Sequence, residues 1–305
     1  MTAYTALSGI FCPVVTPFDT NLQVDTERLI SQCKWLLSQN VSLAIFGTSG
    51  EANSLSIEEK IDLLDQLIDA GIDGSRMLLG TGCCALPDTI RLTSQTIKLG
   101  CAGNLILPPF YYKGVSEDGI YAAMAETIQG VGDQSLRIYL YHIPHMAGVG
   151  FSLELIERLI TEFPNIVVGI KDSSDNWENT HAMLKCGWDN FSVFVGSETF
   201  LLKNMQNGGA GCISATANIN PAAIDYLYRN WKLEQAEELQ QRLDQVRNAT
   251  TYYPMIPALK AMIAEFSNDD VWRSVRPPLV QLCEKDSQAL EAKLRERGIE
   301  MRGLA

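Results

Sequence analysis

The sequence has few basic residues and only three histidines, and the shortage of basic residues excludes two classes of partner. Its 24 lysines and arginines stand against 36 aspartates and glutamates, which leaves a net charge of −12. Such a charge repels the phosphates of nucleic acids and the head groups of anionic lipids. We therefore predict no nucleic-acid partner and no membrane partner.

Long apolar runs are also lacking. No segment offers 18 uninterrupted apolar residues, and residues 1–6 contain neither the basic stretch nor the apolar core of a signal peptide. The sequence predicts a cytoplasmic protein.

Patterns that bind metals or dinucleotides are missing as well. The eight cysteines are irregularly spaced, mostly within apolar stretches, and the histidines form no cluster with them, which predicts reduced, buried thiols. No GxGxxG run follows the first predicted strand. We therefore expect no metal and no cofactor.

The sequence does contain an alternation of short apolar runs with longer amphipathic stretches. Helix-start signals lie between the runs, namely the capping box from Ser56 to Glu59, Pro87, and Asn220-Pro221. Continuous apolar strands indicate burial on both faces, so eight such units predict an α/β fold of the (β/α)8 TIM-barrel type. The predicted strands are residues 10–15, 43–46, 77–79, 104–107, 138–141, 166–170, 191–195 and 211–214.

The chain is predicted to divide into two parts. Residues 1–225 form the catalytic barrel, and residues 226–305 form a C-terminal helical extension packed on it. The extension has more helix than one barrel repeat needs, and no linker rich in proline, glycine or serine separates it from the barrel. We interpret it as a packing or oligomerisation element.

The candidate site lies where the predicted strands end, because barrel enzymes build their sites at the carboxyl ends of the strands. Lys171 follows the apolar run 166–170. An amine that loses solvation there favours its neutral form, which can add to a carbonyl to form a Schiff base. The other strand ends carry Thr16-Pro17, Gly47 to Glu51, Gly80 to Gly82, Pro108-Pro109, Tyr141, Gly196-Ser197 and Ser214.

Two of these strand ends complement the lysine. Tyr141 ends the neighbouring strand and is positioned to move protons, and the turn at Thr48-Ser49 suits a small carboxylate. Structural roles remain open for each: a strand-end lysine is often a surface charge, a tyrosine a core aromatic, and a glycine-flanked turn a tight connection.

These motifs, in this order and spacing, resemble the pyruvate-dependent class I aldolases grouped around dihydrodipicolinate synthase and N-acetylneuraminate lyase. The resemblance covers nearly the whole chain. It is carried by residues 16–18, 47–51, 80–82, 109–112, 141–144, 169–173 and 208–218.

The resemblance implies roles for individual residues. Lys171 would form the Schiff base with pyruvate, and Ser49, with the amides of Thr48 and Ser49, would hold its carboxylate. Tyr141 would shuttle protons in a relay with Thr48 and with Tyr111 of a neighbouring subunit. Ile213 would place its carbonyl near the lysine, Gly196 would join the substrate site, and the assembly would be a homotetramer, a dimer of dimers.

Two positions depart from the synthase pattern. Met146 stands where the synthases carry an arginine for the carboxylate of aspartate semialdehyde, and methionine cannot replace that charged contact, whose loss costs on the order of 1.5–3 kcal/mol. His142 replaces a common asparagine, with His145 nearby. Both imidazoles either meet a sugar-acid tail or only satisfy backbone groups.

We therefore predict a Schiff-base lyase that joins or separates pyruvate and an aldehyde, with a 2-keto-3-deoxy sugar acid as substrate. The alternatives are dehydration of such a sugar acid, 4-hydroxy-tetrahydrodipicolinate synthesis, and sugar-acid binding without catalysis.

Overall fold

The computed structural model describes residues 6–303, and their parallel strands form a closed barrel. Each strand pairs with the next one along the chain, and the first strand also pairs with the last, which leaves no open edge. The strands are β1 Gly9–Pro13, β2 Ser42–Ile45, β3 Met77–Gly80, β4 Gly103–Ile106, β5 Ile138–His142, β6 Val167–Asp172, β7 Ser192–Val195 and β8 Gly211–Ile213.

The predicted barrel is confirmed, and every predicted apolar run overlaps one strand. The predicted ends of the strands differ from the observed ends, because an apolar run indicates burial, whereas a strand is defined by hydrogen bonds to its neighbours. The run 10–15 includes Val14 and Val15, which are buried beyond the end of β1.

Helices cover the outside of the barrel. The predicted capping box is present, since the Ser56 side chain accepts the Glu59 N–H at 3.1 Å and the Glu59 carboxylate accepts the Ser56 N–H at 2.8 Å. The α-helices are α1 Thr26–Ser38, α2 Ile57–Asp69, α3 Leu86–Lys98, α4 Glu117–Val131, α5 Pro144–Ala147, α6 Leu153–Glu162, α7 Trp177–Lys185, α8 Leu201–Gln206, α9 Pro221–Asn230, α10 Ala236–Thr251, α11 Met255–Ser267 and α12 Glu284–Glu296.

Strand β5 shows how the barrel sorts its side chains. Tyr139 and Tyr141 belong to the apolar cluster that fills the barrel interior, whereas Leu140, between them, packs in the cluster between strands and helices. This follows from the alternation of side chains along a strand. Side chains at every second position of the strand therefore point into the barrel interior.

Helices α10 to α12 pack on the barrel. Leu243, Leu259 and Leu290, one from each helix, lie in the same apolar cluster as Leu43 of β2. Gln240 of α10 reinforces this contact, because its side chain accepts the Leu202 N–H at 3.0 Å and donates to the Glu198 carbonyl at 2.9 Å. The division at residue 225 stays a prediction, and α9 runs across that position.

All eight cysteines lie within residues 6–303, and each is a free thiol. Over the same residues, no helix combines the length and the hydropathy needed to span a bilayer.

Candidate active site

Lys171 and Tyr141 lie side by side at the ends of adjacent strands. They are register partners in the pairing of β5 with β6, and both side chains point into the barrel mouth and are buried. Lys171 Nζ donates to Tyr141 Oη at 3.3 Å and lies 4.3 Å from the centre of the tyrosine ring. The phenol is therefore close enough to exchange a proton with a group bound to the lysine.

Thr48 extends this contact into a row of three polar groups. Thr48 Oγ1 and Tyr141 Oη share a hydrogen bond of 3.0 Å, so Tyr141 Oη joins the amine to a second hydroxyl. Thr48 opens a short 3-10 helix, Thr48–Gly50, that follows β2. The first N–H groups of such a turn lack an intrahelical acceptor and point toward an incoming anion.

The row opens into a cavity of about 460 Å³ at the carboxyl ends of the strands. Thr48, Ser49, Tyr141 and Lys171 all line it, as do Gly196 and Ile213, so the structure brings most of the predicted site residues together. The wall is mainly apolar, with a few polar groups, as is typical of small-molecule sites.

Residue 196 must be a glycine because the chain passes very close to Ser173 at this point. A Cβ atom added there would lie 2.0 Å from Ser173 Oγ, too close for any side chain. Both Gly196 and Ser173 line the cavity. The end of β7 can therefore approach β6 only because residue 196 has no side chain.

Of the two roles that the sequence leaves open for His142, the structure shows the contact with the backbone. His142 follows the inward-facing Tyr141 on β5, so its side chain points outward, and it is absent from the cavity lining. His142 Nδ1 accepts the Phe151 N–H at 3.0 Å. Burial lowers the pKa of His142, and the nearby Asp172 carboxylate opposes that shift. The imidazole therefore serves as a neutral acceptor for the loop backbone.

Met146, His145 and Tyr111 are exposed. Met146 and His145 line the outer part of the cavity, and the Met146 side chain is 62% exposed. Tyr111 is 74% exposed and packs edge-on against Tyr112, with ring centres 5.3 Å apart. The expected role of Tyr111 in the site of another subunit stays a prediction.

Sequence reasoning missed the contribution of the extension to the site. Arg247 of α10 lines the cavity, as do residues 254–257 at the start of α11. No periodicity marks Arg247, because it lies in a helix that is rich in polar residues. The turn signal of Pro254 and Pro257 was visible, but it does not indicate which end of the barrel the turn approaches.

Arg247 is held by groups at two strand ends. Its Nη1 donates to Ser214 Oγ at 3.3 Å and lies 3.5 Å from Glu198 Oε2. Glu198 is 1% exposed, and its two carboxylate oxygens also accept hydrogen bonds from the hydroxyls of Ser214 and Thr216. A buried carboxylate needs such partners because desolvation penalises its charge.

A second buried ion pair lies behind the Thr48-Ser49 turn. Lys260 of α11 donates to Glu51 Oε1, and both side chains have no exposed surface. Glu51 Oε2 accepts the Arg276 N–H at 3.0 Å. Glu51 directly follows the 3-10 helix, so the extension anchors the turn that is expected to hold a carboxylate.

Taken together, the cavity presents a buried amine, a phenol in contact with it and the first residues of a short 3-10 helix. An amine of this kind can form an imine with a ketone, the phenol can move the protons that this requires, and the turn can orient an adjacent carboxylate. The arrangement suits covalent chemistry on a small 2-keto acid.

Comparison with known proteins agrees with this geometry. The family model described as the dihydrodipicolinate synthetase family matches residues 6–297. A relative from Chloroflexus aurantiacus, described as an uncharacterized DapA-like lyase, is 32% identical over 290 residues, which cover 93% of this chain and 95% of the relative.

Two solved structures share the fold over nearly their full length. Dihydrodipicolinate synthase from Agrobacterium tumefaciens is 30% identical with a TM-score of 0.88, covering 94% of this chain and 98% of that one. YagE, a prophage protein of the dihydrodipicolinic acid synthase family from E. coli K12, was solved in complex with pyruvate. It is 26% identical with a TM-score of 0.88, covering 96% of this chain and 99% of YagE.

Proposed function

Because the chain belongs to the dihydrodipicolinate synthetase family, whose members are lyases of the class I aldolase type, we propose that it cleaves or forms a 2-keto-3-deoxy sugar acid. The products of cleavage are pyruvate and an aldehyde. The observation that carries this proposal is the row from Lys171 Nζ through Tyr141 Oη to Thr48 Oγ1 inside the cavity. The pyruvate bound to the related YagE supports the choice of keto acid.

In the cleavage direction, the Lys171 amine adds to the C2 carbonyl of the keto acid, and water leaves to give an iminium. The iminium withdraws electrons, so the bond between C3 and C4 breaks once a base removes the C4 hydroxyl proton. The aldehyde departs, and an enamine of pyruvate remains on the lysine. Protonation at C3 and hydrolysis of the resulting iminium release pyruvate and restore the amine.

Tyr141 is the group best placed to move these protons, because its Oη contacts both Lys171 Nζ and Thr48 Oγ1. A phenol transfers a proton most readily when a second hydroxyl stabilises it after the transfer, and Thr48 fills that role. We also propose that Ser49 binds the carboxylate of the keto acid, which its burial in the same turn at the cavity supports.

The first step is tested by trapping. Incubation with pyruvate and borohydride, followed by digestion and mass spectrometry, should locate a reduced pyruvyl adduct on Lys171. The Lys171→Arg variant should carry none, while Lys203, an exposed lysine of α8, serves as an internal control. A folded protein that stays unmodified at Lys171 would contradict the Schiff-base mechanism.

Synthesis of 4-hydroxy-tetrahydrodipicolinate is the competing reaction, since a relative from Bartonella bacilliformis is named for it. Met146 argues against this reaction, because an exposed thioether cannot bind the second carboxylate of aspartate semialdehyde. A panel of aldehydes with pyruvate decides between them. Efficient condensation of aspartate semialdehyde, but not of hydroxylated aldehydes, would replace our proposal with the synthase reaction.

We also propose a homotetramer, a dimer of dimers, in which Tyr111 completes the relay of a neighbouring subunit. The exposure of Tyr111 and Tyr112 supports this, because single chains rarely leave paired aromatic side chains in solvent. Mixing inactive Lys171→Ala and Tyr111→Phe chains should restore activity, since sites that pair intact Lys171 with the partner's intact Tyr111 then form. Recovery at no mixing ratio would assign Tyr111 a structural role only.

The family relationship and the burial of Cys12, Cys33 and Cys212 as free thiols support the cytoplasm as its location.

A further inference from the structure

We propose that Arg247 binds the hydroxylated tail of the aldehyde half of the substrate, and that Glu198 restricts this arginine to neutral tails. The inference rests on the proposed lyase function and names the substrate class within it. A tail with hydroxyl groups is accepted, and a tail that ends in a carboxylate is rejected.

The position of Arg247 fits the tail of the substrate better than its keto end. Arg247 contacts the groups that follow β7 and β8, whereas the pyruvate turn follows β2 and Lys171 lies on β6. A keto acid bound to Lys171 with its carboxylate at Ser49 therefore leaves the β7 and β8 side of the cavity for its remaining carbons. Gly196, Ile213 and Ala215 line that side together with Arg247.

The guanidinium has donors to spare for such a tail. Its side chain is 15% exposed, and within residues 6–303 the hydrogen bond and ion pair of this guanidinium both use Nη1. Arginine carries five N–H groups in a rigid fork. The groups on Nε and Nη2 can therefore donate to two neighbouring hydroxyl oxygens.

The charge of Arg247 is already balanced. Glu198 lies within 3.5 Å and is almost fully buried, so the pair adds no net charge to the cavity. Asp175, which also lines the cavity, adds a further negative charge. A second carboxylate at Arg247 would compete with Glu198 and be repelled by the negative charges of Glu198 and Asp175. A hydroxyl group accepts hydrogen bonds from the same N–H groups without this repulsion.

The test compares three aldehydes with pyruvate: glyceraldehyde, propionaldehyde with the same carbon number and no hydroxyl on its tail, and succinic semialdehyde with a tail carboxylate. Arg247→Lys keeps a positive charge beside Glu198 and removes the fork. Arg242→Lys is the matched control, because Arg242 lies on the same helix, is exposed and, among residues 6–303, pairs only with Glu238. Glu198→Gln removes the balancing charge.

We expect the wild-type protein to prefer glyceraldehyde over propionaldehyde in kcat/KM, and Arg247→Lys to reduce this preference by about tenfold or more. Arg242→Lys should keep the wild-type preference. Glu198→Gln should raise kcat/KM for succinic semialdehyde by about tenfold, because Arg247 then carries an unbalanced charge.

Trapping of pyruvate on Lys171 tests the lyase function separately from the assignment of Arg247 to the substrate tail. If pyruvate is trapped but Arg247→Lys keeps the preference for glyceraldehyde, the assignment of Arg247 is overturned and the lyase function stands. An unchanged response to succinic semialdehyde in Glu198→Gln overturns the role of Glu198. If the wild-type protein traps no pyruvate, the lyase function and the inference fail together.

Discussion

The buried ion pair between Lys260 and Glu51 gives the most quantitative prediction. Lys260→Met removes the ammonium and keeps a flexible side chain of similar length. Within the described part of the chain, the Glu51 carboxylate then keeps one hydrogen-bond partner, the Arg276 N–H, 3.0 Å away. A carboxylate in that position has lost its compensating charge without regaining contact with water.

The expected cost is large because of this desolvation. Removing one partner of a buried ion pair costs about 3–5 kcal/mol, which is a sizeable share of the roughly 5–15 kcal/mol that stabilises a typical domain. Replacing both partners costs much less, since no charge is left uncompensated. The double variant Glu51→Gln with Lys260→Met should therefore recover most of the stability that the single variant loses.

Urea denaturation followed by circular dichroism, at one fixed protein concentration, measures these differences. Arg91→Met is the control, because Arg91 and Glu58 form an exposed pair whose loss should cost less than about 1 kcal/mol. A Lys260→Met variant no less stable than Arg91→Met would refute the reasoning. So would a double variant as unstable as the single one.

Two further predictions concern the barrel strands. Tyr141→Phe should keep the fold and slow imine formation on Lys171 by about 10²–10⁴-fold in a stopped-flow assay with pyruvate, and an unchanged rate would remove the phenol from the mechanism. Because burial lowers the pKa of His142 from 6.5, the unfolded chain binds a proton that the folded one lacks. The free energy of unfolding should therefore fall as the pH drops below 6.5 and level off below the lowered pKa. His142→Asn keeps an acceptor for the Phe151 N–H and should make the free energy of unfolding less dependent on pH, as measured by urea midpoints at several pH values. His145→Asn, at an exposed position, should leave the pH dependence unchanged. An unaltered pH dependence in His142→Asn would contradict this account.

The barrel could be predicted from sequence because its pattern is local and repeated. Each buried strand is a short apolar run, and a residue that ends such a run must lie at the barrel mouth. Lys171 and Tyr141 were therefore paired correctly, since adjacent strands in a parallel barrel bring their ends together. Thr48 follows β2 and Tyr141 ends β5, which are not neighbours, so their contact reflects the convergence of all the strand ends on one barrel mouth.

The sequence leaves a position unresolved where side-chain direction or distant packing decides its role. His142 follows Tyr141 by one residue, and the alternation along β5 turns it away from the cavity, which a reading by strand ends alone does not resolve. Arg247 comes after the barrel closes, and its place depends on how α10 packs against the segments that follow β7 and β8. No local pattern encodes that packing.

The place of Arg247 has a consequence for how this architecture diversifies. The amine and phenol that make and break bonds lie on strands in the middle of the chain, whereas a wall of the same cavity comes from helices added after the last strand. If the chain is the proposed lyase, changes in α10 or in the turn at residues 254–257 should alter which aldehyde it accepts without disturbing Lys171. Grafting that segment between homologues should therefore exchange substrate preference while leaving the chemical step intact.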